Sequence, residues 1–291
     1  MNFIRLATGA TTALVLVFGD GTPGFASEAR QYAPQVKMDK PLWEVGVAGG
    51  GGLLPDYPAA SDSHAKGIGS PYVMYRGKFW RVGEKGIVRG RLAHESNWEL
   101  DFSVDGSFPA DSDDNDARKG MPDLDWLGEI GPRLQVTLAR AARDAKVDFE
   151  LPVRAVISTD FTEFDFRGFI AAPRLTYQHE NFYFRDLELK LGVGSNFVTT
   201  KTANYFYRVE PQFVNANRSQ YTGNGGYLGS SLNLILARPI TDRIKFFMLG
   251  VVNSHHHGAN ENSPLFRDKT TFSIGGALRW SLWQSDRRAY R

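Results

Sequence analysis

Residues 272–282 read Phe-Ser-Ile-Gly-Gly-Ala-Leu-Arg-Trp-Ser-Leu. The large apolar residues fall on every second position, with serine, alanine or arginine between them. Successive side chains of a β-strand point to opposite faces of the sheet, so a period of two predicts a strand with one apolar and one polar face. The segment therefore predicts a strand that separates an apolar environment from a polar one.

The same alternation recurs along most of the chain. It is clear in residues 98–104, 126–138, 146–154, 186–193, 228–236 and 244–252. It is weaker in residues 43–51, 68–75, 78–83, 87–93 and 167–178. Together these segments predict an all-β fold, a transmembrane antiparallel up-and-down β-barrel of about twelve strands. An even number of strands returns both termini to one side, which in bacterial outer-membrane barrels is the periplasm.

A soluble β-sandwich or a lipocalin-like barrel is the competing interpretation, because antiparallel sheets in those folds also alternate. Strands of ten or more residues favour the membrane barrel, as do connections that alternate between long and short. The long ones are residues 53–67, 109–123 and 199–225. Tryptophan prefers the membrane interface, which gives an independent criterion. Periplasmic strand ends are predicted for Trp43, Trp80, Trp98, Trp280 and Trp283, and the outer rim for Trp126.

The beginning of the chain is typical of a secretory signal peptide. Arg5 precedes an apolar segment at residues 7–18, and Gly24-Phe25-Ala26 fits a cleavage site between small residues. A transmembrane helix is less consistent, because the apolar segment is shorter than the ~20 residues that cross a bilayer. We predict a signal peptide at residues 1–26 and a single barrel domain at residues 27–291, of which 284–291 form a tail.

Composition excludes some classes of function. A net charge of +2 gives no basic surface for nucleic acid, and a chain with no cysteine has neither disulfides nor thiolate chemistry. The mean hydropathy of −0.32 fits a soluble protein and a barrel with a polar lumen equally well.

The polar faces of the predicted strands carry charges of both signs, which we assign to the lumen. These residues are Glu44, Glu99, Asp101, Glu129, Arg133, Asp148, Glu150, Arg154, Arg174, Glu188, Lys190 and Arg279. They have two interpretations: ion pairs that fill the barrel, or the lining of a narrow channel for small polar solutes. Asp148 and Glu150 also have the spacing of an acid and base pair, although simple alternation explains that spacing.

Other candidate motifs give weaker signals. Four aspartates at positions 111, 113, 114 and 116 lack the glycine and glutamate of a calcium loop, so we predict a solvated loop. His255-His256-His257 suggests a metal site or, with Ser254 or Ser263, a lipid hydrolase, but neither has diagnostic spacing. Gly49 to Gly52 lack the Gly-Lys-Ser/Thr of a phosphate loop. We predict no cofactor, no metal and no catalysis, with the lipid hydrolase as a second alternative.

Three prolines fall inside predicted strands. Pro132, Pro152 and Pro173 cannot donate a hydrogen bond to a neighbouring strand, and a closed barrel has no free edge. Each proline is therefore expected to mark a bulge or the end of a strand.

Several motifs resemble the MipA/OmpV family of outer-membrane proteins. They are Pro55-Asp56-Tyr57-Pro58, Pro71-Tyr72-Val73-Met74-Tyr75-Arg76-Gly77, Arg118-Lys119-Gly120-Met121-Pro122-Asp123-Leu124, Tyr205-Phe206-Tyr207-Arg208-Val209 and Ser263-Pro264. The resemblance implies a barrel in the outer membrane of a Gram-negative cell. It also implies a scaffold for a murein-degrading lytic transglycosylase.

The resemblance also sets the expected partners. We expect contacts with outer-membrane lipid and lipopolysaccharide and with a complex of murein hydrolases or synthases, and none with nucleic acid. A loop that contacts a partner is expected at Tyr205, Phe206, Tyr207 and Arg208.

Overall fold

A computed structural model describes residues 41–76, 97–142, 144–287 and 289, and the backbone of three short pairs at 81–82, 88–89 and 93–94. The predicted signal peptide, Trp80 and residues 288, 290 and 291 of the predicted tail lie outside the described residues. So do most of the strands predicted at residues 78–83 and 87–93.

The described residues form one antiparallel sheet of eleven long strands and three strands of two residues. The strands are β1 Trp43–Pro55, β2 Ser63–Arg76, β3 Arg81–Val82, β4 Val88–Arg89, β5 Ala93–His94, β6 Trp98–Ser107, β7 Trp126–Ala142, β8 Ala145–Thr159, β9 Phe164–Ala171, β10 Arg174–His179, β11 Glu188–Val198, β12 Gly226–Pro239, β13 Ile244–Ser254 and β14 Thr270–Gln284. One α-helix, α1, spans Thr200–Tyr207, and a 3₁₀ turn spans Pro211–Phe213. No helix in these ranges is long and apolar enough to cross a membrane.

Most strands that are consecutive in the chain are neighbours in the sheet, and the first long strand also pairs with the last. Neighbours in the sheet run β4-β3-β2-β1-β14-β13-β12-β11-β10-β8-β7-β6-β5, and β9 pairs with β8 and β11 beyond the end of β10. The first and last strands are partners, with Val47 opposite Trp280 and Leu53 opposite Ile274. The two ends of the path, β4 and β5, are separated by only three residues of chain, 90–92.

The structure confirms the prediction for one of the three prolines and contradicts it for the other two. Pro173 lies in the break that divides the predicted strand 167–178 into β9 and β10, as expected. Pro132 and Pro152 instead lie inside β7 and β8 with no shift of register, so the prediction of a bulge or a strand end there is wrong. Residues 131–132 and 153–154 are missing from the β7–β8 pairing, but the register is the same on both sides of them. The interrupted ladder thus accommodates Pro132 without a shift of register, and Pro152 lies next to it, opposite Arg133.

The polar face of the sheet is the buried one. Asp101 and Asp148 are fully buried, whereas Leu278 and Ile274 are 49% and 62% exposed. A water-soluble sandwich places its apolar face inside, so this distribution is the reverse of the one that the soluble alternative requires.

A β-bulge near the end of β14 changes the alternation that predicted this strand. Val45 pairs with Trp283 and Gly46 pairs with Ser281, so Leu282 is left unpaired. Such an extra residue reverses the direction of the side chains that follow it. Trp283 is consequently exposed together with Trp280, although an unbroken period of two would have buried one of them.

The longest connections lie at one end of the sheet. This loop end carries residues 56–62, 108–125, 199–225 and 255–269, together with the short connection 160–163. The turn end carries residue 144 and residues 180–187 and 240–243, none longer than eight residues. Along the strands, Trp126 lies at the loop end, and Trp43, Trp98, Trp280 and Trp283 lie at the turn end. These positions agree with the sequence, while contact with a membrane interface stays a prediction.

Candidate functional site

Three neighbouring strands bring a buried arginine between two carboxylates. Arg154 on β8 lies 2.9 Å from Asp105 on β6 and 2.8 Å from Glu129 on β7. Asp105 and Glu129 face each other in the register of β6 and β7, so both carboxylates point to the same side. A guanidinium with a rigid fork of donors suits this shared position better than an ammonium would.

A second arginine lies deeper along the same strands. Arg133 on β7 donates to both carboxylate oxygens of Asp101, at 3.0 and 2.7 Å, and its third nitrogen lies 3.7 Å from Glu150. Bidentate pairs of this kind are among the strongest charged hydrogen bonds in proteins. The pair therefore fixes β6 to β7 from the buried side.

Asp148 is the centre of a third group. It pairs with Lys146 and accepts hydrogen bonds from Gln135 Nε2 at 3.0 Å and Thr137 Oγ1 at 2.8 Å. The two carboxylates with the spacing of an acid and base pair, Asp148 and Glu150, thus each contact a cation. This arrangement supports the structural interpretation of that spacing.

Two further pairs lie toward the turn end. Arg76 Nη1 is 2.6 Å from Glu44 Oε1, and Ser281 donates to Glu44 Oε2 at 2.9 Å. Lys245 Nζ is 2.6 Å from Glu188. Sequence reasoning missed Arg76 because it ended the predicted strand at residue 75, although Arg76 continues the alternation of Tyr72 and Met74.

The structure brings the twelve predicted lumen charges to one face. Ten of them are buried, and Glu188 and Arg279 are partly buried. Within the described part of the chain, no group of three or more histidines and carboxylates could hold a metal ion.

Four connections at the loop end pack against one another and form a structure that we call the cap: residues 56–62, 108–125, 199–225 and 255–269. Tyr207 is fully buried and donates its hydroxyl to Pro58 O at 2.8 Å, while Tyr57 donates to Leu265 O at 2.7 Å. The two rings meet edge to face with centroids 6.4 Å apart. Burial raises the pKa of Tyr207 well above its usual value, so the ring remains a neutral donor.

Buried arginines hold the backbone of the cap. Arg118 donates to Pro122 O at 2.8 Å, to Ser112 Oγ at 3.1 Å and to Phe206 O at 3.3 Å. Burial lowers the pKa of Arg118 from its usual value. Such hydrogen bonds satisfy carbonyl groups that would otherwise lie buried without a donor.

Asp56 connects the first loop to the second. It accepts a hydrogen bond from Asn115 Nδ2 at 2.9 Å, contacts His64 Nδ1 at 2.9 Å and lies 3.0 Å from Lys66 Nζ. Burial alone would raise the pKa of Asp56, but the bonds from Asn115, His64 and Lys66 outweigh it and lower this pKa. Asp56 therefore stays ionised and holds both loops.

This packing limits which residues of the predicted partner loop are exposed, while contact with a partner stays a prediction. Tyr205, Phe206 and Tyr207 belong to α1, whose buried side faces the cap, and only Arg208 of the four is exposed. Phe206 and Tyr207 are buried, so neither is available to a partner. The sequence alone does not show that these aromatic residues belong to a two-turn helix that packs into the cap.

The structure also shows the surroundings of the histidine run, the acidic loop and the four glycines. The run of three histidines is divided, because His255 is buried while His256 and His257 are exposed. Ser263 donates its hydroxyl to Tyr207 O, and the ring of His255 contacts Ala59 N, Leu228 O and Thr271 Oγ1. The structure therefore does not join these residues as a hydrolase would require. The acidic loop is exposed at Asp111, Asp113, Asp114 and Asp116, and the four glycines lie within β1.

A cavity of about 30 Å³ lies between the cap and the ion pairs. Glu129, Asn253 and His255 contribute polar groups, and Phe206 and Leu228 contribute apolar walls. Such a volume holds a few water molecules at most. The cavity thus separates two packed layers and is too small for a substrate.

The turn end presents one unusual connection. Residues 180–187 hold three non-glycine residues with positive φ: Asn181 at 54°, Tyr183 at 60° and Asp186 at 64°. Tyr183 is 85% exposed, and Phe184 next to it is also exposed. Hydrogen bonds from Glu180 N to Asp144 O and from Phe182 N to Leu187 O hold the turn. The predicted strands at residues 167–178 and 186–193 leave a connection between them, but alternation gives no information on its backbone conformation.

Comparison with known proteins gives one match. None of the curated proteins compared with the chain matches it. A family model described as MltA-interacting protein MipA matches residues 47–282, from within β1 almost to the end of β14. The matched range contains all the long strands between them, the cap and, apart from Glu44, the residues of the buried ion pairs. The chain therefore belongs to the MipA family.

Proposed function

We propose that this protein is an outer-membrane β-barrel of a Gram-negative cell that positions a murein-degrading enzyme and has no catalysis of its own. One observation carries the proposal: paired charges occupy the buried face of the sheet, beneath a packed cap. A protein whose interior is occupied in this way acts on its partners through its outer surfaces.

A closed barrel accounts for the sheet. β1 pairs with β14, and the two remaining ends of the strand order, β4 and β5, are three residues apart in the chain. An apolar face that is exposed in water is costly, whereas the same face is favourable in the hydrocarbon of a membrane. The exposed leucine, isoleucine, valine and phenylalanine side chains support a membrane location.

Leu278→Arg tests the membrane location. Leu278 lies near the middle of β14 on the exposed face. In a membrane, arginine at this depth is expected to cost about 2–4 kcal/mol of folding free energy. In water, an exposed position should accept arginine within about 0.5 kcal/mol. Urea unfolding in lipid vesicles measures the difference, with Leu278→Phe as the neutral control. A negligible cost for Leu278→Arg would contradict the membrane barrel.

The family description supplies the kind of partner, since MipA is named for its interaction with MltA, a murein hydrolase. We place the contact at the turn end, which in the proposed orientation faces the periplasm. Tyrosine, phenylalanine and arginine are common at the centres of protein interfaces. The turn 180–187 exposes all three, in Tyr183, Phe184 and Arg185.

Replacing the exposed aromatics of this turn is expected to weaken partner capture. The double variant Tyr183→Ser and Phe184→Ser should reduce the recovery of an MltA-type hydrolase at least about tenfold, a typical effect of losing interface anchors. The measurement is co-purification from detergent extracts with purified hydrolase added in known amount. Phe164→Ser is the matched control, because Phe164 is 72% exposed at the loop end.

Two results would count against the scaffold. Equal recovery with the double variant and the control would move the contact away from this turn, and no recovery by the unchanged protein would reject the role.

The narrow channel is the second candidate. It is favoured by Gly50 and Ala277, which face each other on the polar side of β1 and β14 and are only partly buried. A stable conductance of the purified protein in planar bilayers would support it.

A further inference from the structure

His255 lies where four parts of the cap and sheet meet. Ala59 N, in the first loop, donates to His255 Nε2 at 3.2 Å. His255 Nδ1 lies 3.1 Å from Leu228 O on β12, and Nε2 lies 3.2 Å from Thr271 Oγ1 on β14. The backbone of His255 donates to Lys269 O at 2.7 Å. One buried ring thus connects the first loop, the last loop and two strands.

These contacts define the protonation state of the ring. A backbone N–H can only donate, so Nε2 must accept from Ala59 and carries no proton. A backbone carbonyl can only accept, so Nδ1 carries the proton and donates it to Leu228 O. Protonation of the imidazole would place a second N–H at Nε2, opposite the N–H of Ala59. The contact between the ring and the first loop would then become repulsive.

Ala59 is the residue that this contact holds in place. Its φ of 63° lies in the left-handed region, which alanine rarely occupies. Its carbonyl accepts from Arg267 N at 2.8 Å and Asp268 N at 3.0 Å, so the last loop holds the same residue from the other side. A strained residue persists only where its surroundings over-determine it. Loss of the bond to His255 therefore removes one of three hydrogen bonds that maintain this conformation.

Burial is the main factor that disfavours a charged ring, since titratable groups of both signs belong to the elements around it. The first loop contributes Asp56, Tyr57 and Asp62, the last loop contributes His256, Arg267 and Asp268, and Glu129 faces the same cavity from β7. β12 contributes Leu228 and Gly229, and β14 contributes Thr271, none of which titrates. Burial lowers the pKa of His255, the bond to Leu228 O raises it in part, and nearby His256 lowers it further.

We propose that His255 is a pH-sensitive latch of the cap: its neutral ring holds the first loop closed, and its protonation releases that loop. The direction of the pH dependence follows from the number of protons that each form binds. A histidine whose pKa is lowered in the closed form binds fewer protons there than in the open form, so closure weakens as the pH falls below the usual histidine value of 6.5. The released loop would expose the cavity beneath it.

The absence of cysteine from the chain allows a direct test with single cysteines. Ala60→Cys reports on opening, because Ala60 is 1% exposed, and Ser61→Cys is the exposed neighbour that corrects for thiol reactivity at each pH. The protein in detergent is labelled with a methanethiosulfonate reagent between pH 8 and pH 5. The ratio of the rate at position 60 to that at position 61 should rise below about pH 6.5, by up to about tenfold per pH unit.

Variants of the histidines identify the group that titrates. His255→Gln, which cannot be protonated in this range, should abolish the pH dependence of the ratio even if its baseline is higher. His256→Gln and His64→Gln should keep the pH dependence. A ratio that stays constant with His255 present, or a pH dependence that survives in His255→Gln, would overturn the latch. An unchanged band shift on unheated gels should show that the sheet remains folded throughout.

Discussion

Replacing Arg154 with methionine is expected to lower the free energy of unfolding by about 3–5 kcal/mol. Arg154 is 2% exposed and is the cation shared by Asp105 and Glu129. Removing it leaves two buried carboxylates without that counter-charge, and the cost of an uncompensated buried charge exceeds the loss of packing. Urea unfolding in lipid vesicles, followed by tryptophan fluorescence, measures the change.

Two further variants separate the cost of charge from the cost of packing. In the triple variant Arg154→Met, Asp105→Leu and Glu129→Leu, most of the lost stability should return, because replacing a whole buried ion triad by apolar residues is often neutral or stabilising. Arg208→Met, which removes an exposed pair with Glu210, should cost less than about 1 kcal/mol. A loss below about 1 kcal/mol for Arg154→Met would indicate that water reaches the triad and would favour the channel.

Tyr207→Ala is expected to destabilise the cap by about 3–5 kcal/mol, the range for removing a large buried aromatic side chain. Tyr207 is fully buried, its ring packs against Tyr57, and its hydroxyl donates to Pro58 O. The strands pair with one another through their own backbones, so we expect the sheet to survive the loss of this ring. We therefore expect local opening: trypsin should cleave at Lys201 or Arg208 at least about tenfold faster while the sheet stays folded.

Matched variants define the origin of this effect. Tyr207→Phe keeps the ring and leaves Pro58 O without its donor, so it should cost only about 1–3 kcal/mol. Tyr183→Ala removes a tyrosine that is 85% exposed at the opposite end and should not change cleavage in the cap. Cleavage of Tyr207→Ala at the rate of the unchanged protein would show that α1 is held by other contacts.

The strands could be predicted from the sequence because their signal is local. Alternation places Leu278 and Trp280 on one face and Arg279 on the other with no knowledge of their neighbours. The buried position of Asp148 and Glu150 follows in the same way, once the polar face is known to be inside. The break at Pro173 is likewise local, because a missing N–H is a property of the residue itself.

Exceptions to the alternation depend on the partner strand. The bulge at Leu282 requires glycine at position 46 on β1, because an added Cβ would come within 2.0 Å of Trp280 O. Pro132 lies inside β7 where the β7–β8 pairing is interrupted, and Pro152 lies in β8 directly beside that interruption. Neither feature can be predicted from one segment alone, since each depends on how two strands pair.

By itself, the sequence determined the strands, their polar and apolar faces and the ends at which long and short connections lie, because each depends on residues close together in the chain. Only the tertiary structure decided which loop residues are buried. Phe206 and Tyr207 became core residues, and His255 separated from His256 and His257, because packing among four distant connections sets their surroundings. The same holds for the pairing of Arg154 with Asp105 and Glu129, since three strands must align before one cation can neutralise two carboxylates.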